Sequence, residues 1–137
     1  MGGREAMKMT VDTNILVRSA VRDDKKQAAA ADRLLRSAEV IAVTLPCLCE
    51  FVWVLLKLYE VPRNDVAIAI RALLAVGNVE ADRRASEAGL KVFEAGGDFA
   101  DGVIAHEGGR LGGQTFVSFD RKAVKLLQAA GIPARLP

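Results

Sequence analysis

Hydrophobic and polar positions along the chain alternate in blocks that predict extended and helical segments in turn. Lys8 to Leu16 (KMTVDTNIL) is a short apolar run ending in Asp, Thr and Asn, which predicts a strand passing into a loop. Lys25 to Ala38 is rich in strong helix formers, with Ala28, Ala31, Leu34, Leu35 and Ala38 on one stripe. Glu39 to Thr44 is apolar and β-branched with no helical period. Pro46 then opens a helical run through Tyr59, proline being suited to a first helical turn. Asn64 or Asp65 is expected to cap a helix reaching about Val76, and Asn78 to Glu80 forms a brief extended piece. A helix over Asp82 to Glu94 is broken by Gly96 and Gly97. Asp98 caps the next helix, which runs from Ala100 to about Arg110 and stops at GGRLGG. Thr115 to Phe119 is extended, Asp120 opens a last helix to Ala130, and Gly131 and Pro133 lead to a short extended end. This alternation predicts an α/β fold with a central parallel sheet flanked by helices, a three-layer α/β/α arrangement.

Composition narrows the class. A chain of 137 residues, 51% hydrophobic and 26% charged, matches one domain with its own core and excludes global disorder. The longest nearly uncharged stretch, Val40 to Leu56, is interrupted by Pro46 and Glu50 and is too short to span a membrane. Met1 to Met9 has charges but no apolar signal core, so a cytoplasmic location is expected. Cys47 and Cys49, two apart in an apolar segment, suit free buried thiols rather than a disulfide or a metal knuckle. The formal charge of +2 permits a nucleic-acid partner without requiring one.

The chemistry sits in the carboxylates. In open parallel sheets the functional crevice lies beyond the C-terminal strand ends, and Asp12 and Asp120 each follow a predicted strand. Asp98 and Asp101 open a helix after a Gly-Gly pair. Glu50 is the only charged residue between Glu39 and Lys57, and its helical neighbours are Pro46, Cys47, Trp53 and Val54, so burial would leave it needing compensation. Taken singly, Asp12, Asp98 and Asp120 read equally well as helix caps. Brought to one edge, the acids would repel one another, which calls for a hard cation, Mg²⁺ or Mn²⁺. Zinc is disfavoured because His106 is the sole histidine and Arg110 stands where HExxH needs a second.

The order VDTNIL, then the glutamate of CEFVWVL, then DFADGVIA, then TFVSFD, resembles the PIN-domain ribonucleases, and among them the VapC-type toxins of toxin–antitoxin pairs. The resemblance runs from near Met9 to the end, giving an expected PIN-like domain over residues 9–137 preceded by a short extension over 1–8. It implies that Asp12, Glu50, Asp101 and Asp120 are catalytic and hold Mg²⁺ or Mn²⁺, with Asp98 an auxiliary carboxylate or cap. Gly102 stands where such sequences more usually have alanine. Asn14 and Ser118 resemble the polar residues that hydrogen-bond the first and last acids. The implied reaction is hydrolysis of an RNA phosphodiester to a 5′-phosphate and a 3′-hydroxyl. Arg18, Arg22, Lys25 and Lys26, after the first acid, and Arg121 and Lys122, after the last, are the cations expected to meet RNA phosphates. Trp53 and Tyr59 are expected in the core. The implied partners are a VapB-like antitoxin covering the cleft and a second copy of the chain in a homodimer. The apolar residues 51 to 58 and the helix at 64 to 76 suit a dimer surface and core packing equally well.

Two other classes remain open at this level. A Mg²⁺-dependent phosphohydrolase using Asp12 as a covalent nucleophile would want a second aspartate where Asn14 stands. A catalytically silent RNA-binding or interaction module would not need all four acids. Nucleotide-binding loops are excluded, because no GxxxxGK[ST] exists and GGRLGG follows a helix rather than a strand.

Overall fold

Strands β1 (Lys8–Thr10), β2 (Val40–Ala42) and β3 (Val79–Glu80) form a parallel sheet in the order β1-β2-β3. Met9 pairs with Ile41 and Ile41 with Val79, so Ile41, on the central strand, is fully buried. The structure is a computed structural model that describes residues 7–137, and most of the extension expected over residues 1–8 lies outside the described residues. The chain is of the α/β class, with parallel strands joined through helices as the alternation predicts. It divides into two compact units, the first ending at Ala81 and the second running from Asp82 to Pro137.

In the first unit, α1 (Thr13–Val21) and α2 (Lys25–Ser37) connect β1 to β2, and α3 (Leu45–Lys57) and α4 (Arg63–Ala75) connect β2 to β3. Helix α1 corrects the sequence reading, which passed from the strand into a loop at VDTN and had no helix before Lys25. The β-branched and apolar residues there pack as a helix stripe instead, burying Leu16 and Val17. Helix α3 starts as expected, with the Thr44 hydroxyl accepting from the Cys47 amide at 3.3 Å and Pro46 in the first turn. Helix α4 is not capped by Asn64 or Asp65. Its cap position is Pro62, which has no side-chain acceptor, and Asp65 falls in the first turn, where a negative charge suits the helix dipole. Asn78 ties the end of α2 down, its amide donating to the Leu35 and Ala38 carbonyls at 3.1 and 2.9 Å.

The second unit holds α5 (Arg83–Glu94), α6 (Phe99–Arg110), β4 (Phe116–Val117), α7 (Arg121–Ala129) and β5 (Ala134–Arg135), with β4 and β5 parallel. Val92, Val124, Leu127 and Ala134 form a core, with Phe116 and Ile132 against it. Burying a leucine the size of Leu127 contributes about 1.5–3 kcal/mol. Helices α5 and α6 meet at glycines: a Cβ on Gly89 would lie 2.8 Å from the Phe99 ring, and one on Gly102 would collide with the backbone carbonyl of Ala88. That approach explains why glycine stands at 102, where the resembling family more usually has alanine.

Candidate functional site

In the first unit, Asp12 lies two residues past β1 and is the N-cap of α1, its Oδ1 accepting from the Ile15 amide at 3.2 Å. The cap reading and the site reading are compatible, since capping uses one oxygen and Oδ2 has no partner among the described residues. Asn14, expected to hydrogen-bond Asp12, is exposed, and the bond goes to the Ile15 amide instead.

Glu50 is not the buried, isolated carboxylate its neighbours suggested. It lies on an exposed stripe of α3 with Pro46, Trp53 and Lys57, while Cys47, Leu48, Phe51, Val52 and Leu55 face the core. Its partner is Thr13, whose hydroxyl donates to Glu50 Oε1. Thr13 is only 7% exposed, and the same hydroxyl lies 3.8 Å from Cys47 Sγ. Burial pushes the Cys47 thiol up; the Thr13 hydroxyl opposes that, and the charges of Glu50 and Asp12 add to it. Both acids therefore act electrostatically on one thiol. Sequence reasoning placed Thr13 where the first strand passes into a loop and missed its role. The only signal was a hydroxyl next to Asp12, since its partner is 37 residues away.

In the second unit, Asp98 caps α6 with Oδ1 accepting from the Ala100 amide at 3.0 Å, and its carbonyl accepts from the Asp101 amide at 3.1 Å. Asp101 follows in the first turn of α6, half-buried, next to Gly102 at the close approach to α5. Burial raises the Asp101 carboxyl above its ordinary value, and the charges of Asp98 and Asp120 raise it further. Asp120 lies three residues past β4 and caps α7, Oδ1 accepting from the Ala123 amide at 3.1 Å. Ser118 Oγ accepts from the Asp120 amide at 3.0 Å, so this serine fixes the backbone of the last acid rather than its carboxylate. Asp98, Asp101 and Asp120 thus share one electrostatic neighbourhood.

Among the described residues, no arginine forms an ion pair with Asp98, Asp101 or Asp120. The structural acids differ: Asp23 pairs with Arg18, Asp32 with Arg22 and Asp82 with Arg110, at 2.7 to 3.0 Å. An all-oxygen set with uncompensated repulsion fits a hard, hydrated cation such as Mg²⁺, which keeps several waters and takes one or two carboxylates. Among the described residues, no three His, Cys, Asp or Glu side chains form a ready-made metal cage.

The cations divide in the same way. Arg18 is taken up by Asp23, Gln27 and the Tyr59 hydroxyl, and Arg22 by Asp32, so both expected phosphate contacts of α1 are engaged within the protein. Lys25 and Arg121 are exposed and carry no ion pair among the described residues. The structure adds Lys125 and Arg135, which line a shallow depression with Arg121, Val124, Gln128 and Leu136. Helical spacing from Arg121 to Lys125 was visible in the sequence; the approach of β5 was not. Trp53, expected in the core, is 54% exposed.

Among the described residues, no helix is long and apolar enough to cross a membrane. No curated protein matches the chain. Residues 9–127 match the PIN domain, a nuclease-type fold whose members are commonly ribonucleases and typically bind divalent metals. With most of its length inside that match, the chain belongs to the PIN-domain family.

Proposed function

We propose that the chain is a Mg²⁺- or Mn²⁺-dependent endoribonuclease of the VapC toxin type. The observation that carries this reading is Asp101, half-buried beside Asp98 and Asp120, its carboxyl raised by burial and by their charges, with no ion pair to balance the group among the described residues. Asp12, Glu50, Asp101 and Asp120 are the proposed catalytic acids. Asp12, Glu50, Asp101 and Asp120 would hold the divalent ion, which would supply positive charge for the scissile phosphate and acidify a water. The chain's own residues prepare for that charge. Thr13 holds one Glu50 oxygen and leaves the other free, Asp98 and Ser118 fix the backbone at Asp101 and Asp120, and Asp12 and Asp120 keep one oxygen clear of their capping bonds. Lys25, Arg121, Lys125 and Arg135 bind RNA phosphates. Water then adds across a P–O3′ bond, leaving a 5′-phosphate and a 3′-hydroxyl.

A toxin role implies an antitoxin and a second copy. Phe119, 87% exposed and one residue before Asp120, supports an apolar anchor for an antitoxin segment lying over the acids. Ile68 and Val76, exposed on and after α4, support a homodimer contact. Calorimetric titration with Mn²⁺ tests the metal part of the reading: saturable binding by the wild type, weakened by Asp101→Asn, is expected, and no binding to the wild type overturns it.

A further inference from the structure

Helix α3 presents to solvent a row in which Glu50, Trp53 and Lys57 follow one another at intervals of three and four residues. On a helix this spacing puts neighbouring Cβ atoms roughly 5–6 Å apart on one face. The opposite face is the core, holding Leu48, Phe51, Val52 and Leu55. Trp53 is therefore not a core residue that failed to bury: the helix has an apolar side available, and the tryptophan is on the other one. Its helical neighbours on the wet side are Glu50 and Lys57, and the half-buried Cys49 and Leu56 lie on its inner flank. An exposed planar ring with a cation one turn away suits a nucleobase, the ring stacking on the base and the lysine meeting a phosphate.

We infer that Trp53 is a stacking platform for an unpaired RNA base next to the scissile phosphate, with Lys57 contacting the adjoining backbone. This rests on the ribonuclease reading and deepens it. Trp53 binds substrate and takes no part in the reaction at phosphorus.

The chain has a single tryptophan, so its fluorescence reports on this position alone. Short single-stranded oligoribonucleotides are titrated into the intact protein in EDTA, and cleavage kinetics are then measured with Mn²⁺ for the wild type, Trp53→Phe and Trp53→Ala. Saturable quenching is expected. Trp53→Ala raises KM about tenfold with kcat nearly unchanged, and Trp53→Phe restores most of the loss. The exposed position predicts unchanged thermal melting for both variants, which separates a binding loss from misfolding. Cleavage by the wild type, with no quenching and an unaltered KM in Trp53→Ala, overturns this inference and leaves the ribonuclease reading standing. Fluorescence that shifts with protein concentration and not with RNA also overturns it, giving the face to a second copy of the chain. Absence of both cleavage and quenching overturns the two readings together.

Discussion

The Thr13 hydroxyl donates a hydrogen bond to Glu50 Oε1 and so ties the first turn of α1 to the second turn of α3. The donor is buried and the acceptor exposed, which gives the carboxylate a fixed anchor without taking it out of water. Replacing Thr13 by valine keeps the shape and removes the donor. The expected result is a stability loss of about 1.5 kcal/mol in urea unfolding, typical of a hydrogen bond to a charged group. Cleavage should slow about tenfold or more through kcat, as for other residues that orient ligating groups. Thr13→Ser, which keeps the hydroxyl, should recover most of the rate; equal loss in both variants would assign Thr13 to packing alone.

Asp101 should destabilise the fold it serves. Its carboxyl is raised in the folded protein by burial and then by Asp98 and Asp120, so the folded state disfavours the charged form. Below the unfolded value the group is neutral in both states and stability is unaffected. As pH rises through the folded value, stability is lost. Asp101→Asn is therefore expected to be more stable than wild type at neutral pH without divalent cation, an advantage that vanishes in acid. A divalent cation should reverse the order by binding the wild-type fold more tightly. Thermal melts at two pH values, with EDTA and with Mn²⁺, read all of this. The same gain is not expected of Glu50→Gln, because Glu50 is exposed and held by Thr13.

Gly102→Ala inserts a methyl group against the Ala88 carbonyl, which is backbone and cannot swing aside. A loss of about 1–3 kcal/mol is expected, together with reduced activity as α6 and Asp101 shift. A melting temperature equal to wild type would mean that α5 and α6 separate at little cost.

The basic residues should fall into two classes. Arg121→Ala, Lys125→Ala and Arg135→Ala are each expected to weaken RNA binding and to reduce the slope of log K against log salt by about one. Arg22→Ala should leave that slope alone and act on stability. The Arg22 guanidinium, followed by the Ser19 hydroxyl, holds the Asp32 carboxyl below its ordinary value. That pair contributes stability above the unfolded value of Asp32, lost as pH falls through the folded value. The acid sensitivity of unfolding should diminish in Arg22→Ala; a changed RNA salt slope in that variant would return Arg22 to the phosphate contacts.

What the sequence made legible was local. Asp98, after a Gly-Gly break, and Asp120, after an extended run, announce their helices because an aspartate there caps the amides it precedes, and the carboxylates themselves are visible as residue types. Helix α1 was hidden because Ile15, Leu16 and Val17 carry a β-prone pattern that packing overrides. The exposure of Glu50 and Trp53 was hidden because α3 is so apolar that its narrow wet edge does not stand out, and a helix shows which edge is wet only once its neighbours are in place. Partners such as Thr13 and Glu50, or Arg22 and Asp32, come from separate helices, and nothing in the spacing of either pair marks it.

The proposed activity is metal-dependent cleavage of RNA through these acids. Its most direct test is incubation of a total RNA mixture at low salt with Mg²⁺, Mn²⁺ or EDTA, wild type beside Asp101→Asn. Cutting at a few discrete positions with either metal, with 5′-phosphate ends, is expected, and loss of cutting both in EDTA and in the variant. Cleavage that survives EDTA, or that persists in a contaminant-free preparation of the variant, contradicts it.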